Sequence, residues 1–196
     1  MALRPCQTFS FSPSEIAFIA EFSPIDIIPR QAMDALPLIG GIIPEFKPPS
    51  RVTVPLWMAI FLKRQKRANI LPPSWLSQEA LEGFLEAEHK VENGFSALPL
   101  RWFEISRINA GISASDDMEQ PELIRRLLRD LRETRQGKTR DGLVSINETH
   151  LQMDNLGSME INEIRSFFAK SMDQIRRLSA LTADNEDLNE MEDQSE

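Results

Sequence analysis

The side chains in this 196-residue chain that could do chemistry are two histidines, one cysteine, a few neighbouring carboxylates and two clusters of cations. His89 and His150 lie in segments 61 residues apart, and neither has a second ligand at metal spacing. Cys6 has no CxxC partner, and structural zinc needs four ligands, so no metal site is expected. A Cys6–His nucleophile pair would need a firmly held base, which a residue so near the N-terminus does not offer. Asp116 and Asp117 precede a helix that begins near Glu119, where acids cap the first turn and complement its dipole. Asp154 and Glu160 form the other carboxylate pair, with no sign of a pocket that would shift their pKa values. Gly137-Lys138-Thr139 imitates the end of a phosphate-binding loop, but the glycine required five residues earlier is Arg132. An arginine-rich helix precedes it instead of a buried strand, so it reads as a helix C-terminus. Gly40-Gly41 lacks a third glycine in register and reads as a turn. No catalytic residue, metal or cofactor is therefore expected.

The cations fall in two helices. Lys63, Arg64, Lys66 and Arg67 close a proline-initiated helix, where positive charge complements the dipole. They could be a solvated helix end, a contact to a partner protein or a non-specific phosphate contact. Arg125, Arg129 and Arg132 are spaced by 4 and 3, beside the apolar stripe of Ile124, Leu127, Leu128 and Leu131. Asp130 and Glu133 dilute their charge, which favours a structural or subunit-facing role over DNA. A third stripe has no charge of its own: Ile161, Ile164, Phe168, Ile175 and Leu178, widened by Phe167 and Met172. Near-heptad spacing suits a long helix packed lengthwise, either in this chain's core or as a seam to another chain. Phe167, Phe168, Met172, Ile175, Arg125 and Arg129 are the interface candidates.

Prolines indicate which elements position these groups. Nine of thirteen fall in residues 1–55, so that part is expected to hold short strands and turns, and the remainder helices. Ser12-Pro13-Ser14-Glu15 is a capping-box helix start, with the helix ending near Phe22. Strands are expected at 25–28, 36–39 and 42–46, and helices at 55–68, 78–92, 99–112, 119–138 and 158–181; residues 139–157 are read as a loop with a helical turn. The fold class is α+β, mainly α: a small β-rich domain over 1–54, a helical bundle domain over 55–183 and a disordered acidic tail over 184–196. A β region of about 50 residues is marginal alone and must lean on something else.

Composition sets outer bounds. The chain is 41% hydrophobic and 27% charged, as a globular protein is. One cysteine allows no intrachain disulfide, which fits a reducing compartment. No signal-peptide core and no membrane-length apolar run is apparent. The net charge of −8 is a tail property: residues 184–196 carry seven acids and no base, leaving 22 bases against 23 acids elsewhere. A near-neutral body argues against a dedicated DNA-binding domain.

One block is more specific than any of these. Residues 52–76, VTVPLWMAIFLKRQKRANILPPSWL, join a Pro55-initiated amphipathic helix, the first basic cluster and a Pro72-Pro73 stop flanked by Trp57 and Trp75. VPLWxAIxLK followed by ILPPxW resembles the Psf-two type of subunit in the GINS complex of DNA replication. EIAFIAEFSPIDIIP at 15–29, LIGG at 38–41, IRRLLRDLRETRQGK at 124–138 and LGSMEINEIRSFF at 156–168 fit the same family, over roughly residues 10–182. The resemblance implies a β domain placed first, a helical domain, and a heterotetramer with Psf-one, Psf-three and Sld-five types of subunit. It further implies a nuclear, non-catalytic scaffold that joins the MCM ring and the Cdc-forty-five protein in the replicative helicase, with direct DNA contact weak or absent. The alternative, of another class, is an independent non-specific nucleic-acid-binding protein that uses its basic helices.

Overall fold

The computed structural model describes residues 11–39, 41–92, 94–112, 118, 120–144 and 154–193. Cys6, Gly40, Asp116, Asp117, Glu119 and His150 lie outside the described residues. The first element, α1 (Pro13–Ala20), starts as its residues dictate. Ser12 Oγ accepts from the Glu15 backbone N–H at 3.3 Å, Glu15 Oε2 accepts from the Ser12 N–H at 2.7 Å, and Pro13 opens the first turn.

Strand β1 (Pro24–Pro29) alternates outward and inward, burying Ile25 and Ile27. It is the centre of an antiparallel sheet of order β4-β1-β5, with β4 at Val52–Pro55 and β5 at Ala68–Ile70. The prolines of β1 sit only at its ends, so no interior ladder bond is lost. A second, two-stranded ladder pairs β2 (Leu36–Leu38) with β3 (Gly41–Ile43), and Met33 bridges Phe46. Gly41 has a φ of +143°, a conformation that favours glycine.

Helix α2 (Leu56–Arg64) packs onto this sheet. Its Leu56, Met58, Ala59, Ile60 and Leu62 join Ile25, Ile27, Ile43, Phe46, Val54, Ala68 and Ile70 in one core. The expected boundary at residue 54, and the single helix expected over 55–68, are therefore corrected. The N-terminal unit continues through α2 and β5, because without them β1 would keep an open edge and the sheet an uncovered apolar face. The expected strand over 42–46 shortens to β3 plus the Phe46 bridge.

The rest is helical: a 3-10 turn at Ser74–Leu76, then α3 (Gln78–Lys90), α4 (Trp102–Ile112), α5 (Pro121–Val144) and α6 (Ser158–Asp193). Leu76, Leu81, Ile124 and Leu127 form its core, flanked by Trp75, Phe84, Leu123 and Leu128. Two sequence expectations change. α5 runs past Lys138 to Val144, so Gly137-Lys138-Thr139 lies inside a helix. α6 stays helical through Asp193, into the stretch expected to be a disordered tail, where Ala183, Glu186, Leu188, Glu190 and Met191 favour helix and no Gly or Pro stops it. At the domain junction, Arg101 Nη1 donates to Ile19 O at 3.1 Å and Ser23 Oγ at 3.3 Å, and Ile108 of α4 packs against the N-terminal core.

Candidate subunit interface

Helix α6 spans 36 residues, roughly 54 Å at 1.5 Å per residue. Among the described residues, its firmest anchors in this chain lie at its start. Met159 is buried, and Ile161, Ile164, Phe168, Met172 and Ile175 are half-buried. Phe167 is 57% exposed and Leu178 is 64% exposed. A core helix would bury such a stripe fully; here it is partly covered, with Phe167 and Leu178 open to solvent.

A network of charges fixes that start. Arg135 of α5 is 1% exposed and Glu88 of α3 is fully buried. Arg135 Nη1 donates to Glu88 Oε2 at 2.8 Å. Its Nε and Nη2 form a fork onto Glu160 of α6, at 2.6 and 3.1 Å. Nη2 also reaches Asn155 O at 2.7 Å, and the guanidinium stacks over Phe95 at 4.9 Å. Lys138, one turn on, pairs with Glu88 Oε1 at 2.9 Å and donates to the carbonyls of Glu88 and Val91 at the end of α3. Burial raises the Glu88 pKa. Hydrogen bonds from Ser96 and Lys138 and the Arg135 charge outweigh it, leaving the carboxyl below its ordinary value. For Arg135, burial opposes the charge, while Glu160 and Glu88 hold the guanidinium firmly cationic. α3, the loop after it, α5 and the first turn of α6 are thus tied at one point.

A second support lies beside it. Glu104 of α4, 2% exposed, accepts from the Met159 N–H through Oε1 at 3.2 Å, satisfying one of α6's first donors. Burial pushes its carboxyl above the ordinary value.

The sequence candidates distribute unevenly over this frame. Arg132, rather than Arg125 or Arg129, meets α6: it pairs with Glu163 at 2.7 Å and stacks over Phe103 at 4.6 Å. Arg125 and Arg129 are exposed, and Arg125 pairs with Glu122. The pairs 135–160 and 132–163 run α5 and α6 antiparallel, so Arg129 lies toward the level of Phe167. Asp154 and Glu160 do not act as a carboxylate pair, since both Glu160 oxygens bind Arg135. His89 is exposed on α3. Sequence reasoning missed Glu88, Arg135 and Lys138 as structural residues. A signal existed: Arg135 continues the apolar stripe 124, 127, 128, 131 at its next step.

The N-terminal domain carries another open surface. A groove of about 690 Å³ runs between α1, the β2–β3 hairpin and the β4–α2 junction, lined by Phe18, Phe22, Ile39, Ile42, Pro44 and Trp57. Phe18 and Phe22 meet edge to face at 5.5 Å and remain about 60% exposed.

Comparison with known proteins accounts for both domains. The family description "PSF2 N-terminal domain" matches residues 12–71, and "GINS complex protein helical bundle domain" matches residues 75–179. The first span ends just after β5, where the structure ends the sheet. The DNA replication complex GINS protein psf2 of Schizosaccharomyces pombe is 47% identical over 178 residues, covering 91% of this chain and 96% of that protein. The PSF2 proteins of Yarrowia lipolytica and Candida albicans are 39% and 38% identical, over 91% and 92% of this chain and 70% and 92% of their own lengths. The chain belongs to the PSF2 family of GINS subunits, proteins of the DNA replication complex.

Proposed function

We propose that this chain is a non-catalytic scaffold subunit of a GINS heterotetramer in the nucleus, seated against Psf-one, Psf-three and Sld-five types of subunit. Through that tetramer it joins the MCM ring and the Cdc-forty-five protein in the replicative helicase, and its own contact with DNA is weak or absent. The observation that carries the reading is α6. The chain completes two cores of its own, yet this long helix leaves Phe167, Leu178 and Leu181 exposed and Phe168, Met172 and Ile175 only partly covered. The Arg135 network supports it, because a helix rooted rigidly at one end presents the stripe in a fixed direction.

Co-expression with the three other subunit types followed by native mass measurement tests the reading, which requires a stoichiometric tetramer that survives high salt. Phe168→Ala with Ile175→Ala is the informative variant. Both side chains are partly buried here, so the chain's own stability falls by about 1–2 kcal/mol each, read separately by urea unfolding of the free chain, whereas tetramer yield collapses as the remaining exposed area loses its partner. Normal assembly by this variant refutes the seam.

A further inference from the structure

The whole-chain charge hides a local asymmetry. Arg30 directly follows β1, Arg67 directly precedes β5, and the Arg30 N–H donates to Arg67 O at 2.8 Å. Arg51 directly precedes β4, where the register carries it opposite Ile28. The same end of the sheet therefore receives three arginines from three strands. The C-terminus of α2 adds Lys63, Arg64 and Lys66. A helix dipole accounts for cations on α2, but not for Arg30 and Arg51, which come from strands.

Neutral groups hold the two central guanidiniums. Arg30 donates through Nε and Nη2 to Asn69 Oδ1 at 3.0 and 2.7 Å, and Arg67 Nε donates to Gln31 Oε1 at 3.1 Å. Among the described residues, none of Arg30, Arg51, Arg64, Lys66 and Arg67 is in an ion pair, and all five are exposed. Of this domain's carboxylates, Asp26 accepts from Thr53 Oγ1 at 2.6 Å, Glu45 pairs with Lys47, and Glu21 lines the apolar groove away from the arginines of the sheet end. Amides thus orient the forks without cancelling their charge.

This basic end is continuous with the apolar groove. Trp57 lines the groove, and Phe61 and Arg64 follow it at i+4 and i+7 on α2. Phe61 is 52% exposed, so one helix face passes from apolar groove to bare aromatic ring to cations. We propose that this face docks an acidic amphipathic polypeptide segment of a further protein partner. Its apolar side chains enter the groove beside Phe18, Phe22 and Ile42, and its carboxylates meet the guanidinium forks at the sheet end. A large groove joined to a compact charged patch fits such a segment better than a nucleic-acid backbone, which needs cations spread along a track and no large apolar well. The inference stands apart from the α6 seam and does not rest on it.

The test uses the full chain, free and in its co-purified assembly, with fluorescence anisotropy of three probes. These are a synthetic helical peptide of Leu, Phe, Asp and Glu with amphipathic spacing, the same peptide with Asn and Gln for the acids, and a single-stranded oligothymidine. The acidic peptide binds free chain and assembly alike, and more weakly as salt rises. Arg64→Glu, Lys66→Glu and Arg67→Glu together weaken it about tenfold or more, and Phe61→Ala about fivefold. Reversing two exposed cations of the helical domain, Lys90→Glu with Arg126→Glu, changes it by less than about twofold. The proposal is overturned if the acidic peptide fails to bind, if the amide peptide binds equally well, or if the control reversals weaken binding as much. Capture of oligothymidine in place of the peptide makes the patch a nucleic-acid site instead. Binding to the free chain but not to the assembly makes it a subunit seam; either result also overturns the proposal.

Discussion

Arg135→Met tests the charge network most directly, since methionine keeps much of the side-chain volume while removing the cation. The substitution strips Glu160 of a two-point partner at 2.6 and 3.1 Å and removes one of Glu88's two cations. It also leaves Asn155 O without its 2.7 Å donor. Breaking a buried pair from one side costs about 3–5 kcal/mol. Glu88 keeps Lys138 at 2.9 Å and the Ser96 hydroxyl at 2.6 Å, which sets the expectation at the lower end, about 3 kcal/mol. Urea unfolding followed by tryptophan fluorescence reads this loss. Adding Glu88→Gln and Glu160→Gln should recover part of it, because the stranded charges are then gone. The pH dependence adds an independent check. With its folded-state pKa below 4.5, Glu88 contributes stability that is present above 4.5 and lost as pH falls through the lower value. The gap between parent and variant therefore narrows in acid. A loss under about 1 kcal/mol, the value of a surface pair, refutes the reasoning.

Two further outcomes are expected. Glu104→Gln keeps an oxygen for the Met159 N–H while removing a buried charge. Because the carboxyl's folded-state pKa lies above 4.5, its ionised form destabilises the fold at neutral pH, so the variant raises the urea midpoint there. That gain vanishes once pH falls below 4.5, and a gain that is constant with pH would point to packing instead. Deleting residues 184–196 leaves the thermal midpoint of the assembly within about 1 °C, since Leu188 and Met191 are the segment's only large apolar residues and its helix adds little packing; a large loss of assembly would make it a docking element.

The capping box of α1 was legible because every participant lies within four residues. The short strands before residue 50 were legible from prolines. β5 was not, since three residues, Ala68–Ile70, become a strand only by pairing with β1 some forty residues away. Pro55 misled in a definable way: the last residue of β4 and the entry to α2 both tolerate a missing N–H, so one residue serves both. The stripe of α6 was visible, but core and seam demand the same spacing, and only the neighbours present in three dimensions separate them. Glu88 and Arg135 stayed hidden because a charge in a helix is ordinarily read as solvated; their roles follow from α3, α5 and α6 converging.

Lys138 has a consequence for the order in which the chain folds. The carbonyls of Glu88 and Val91 at the end of α3 find their donor on α5, 50 and 47 residues later. On a growing or refolding chain α3 can nucleate from its Ser77 cap, but its final turn frays until α5 has formed and swung back against it. The helical domain thus behaves less like independent local helices than its secondary structure suggests. Completing α3 requires a non-local closure, and hydrogen exchange in the last turn of α3 should report the arrival of α5 rather than the formation of α3 itself.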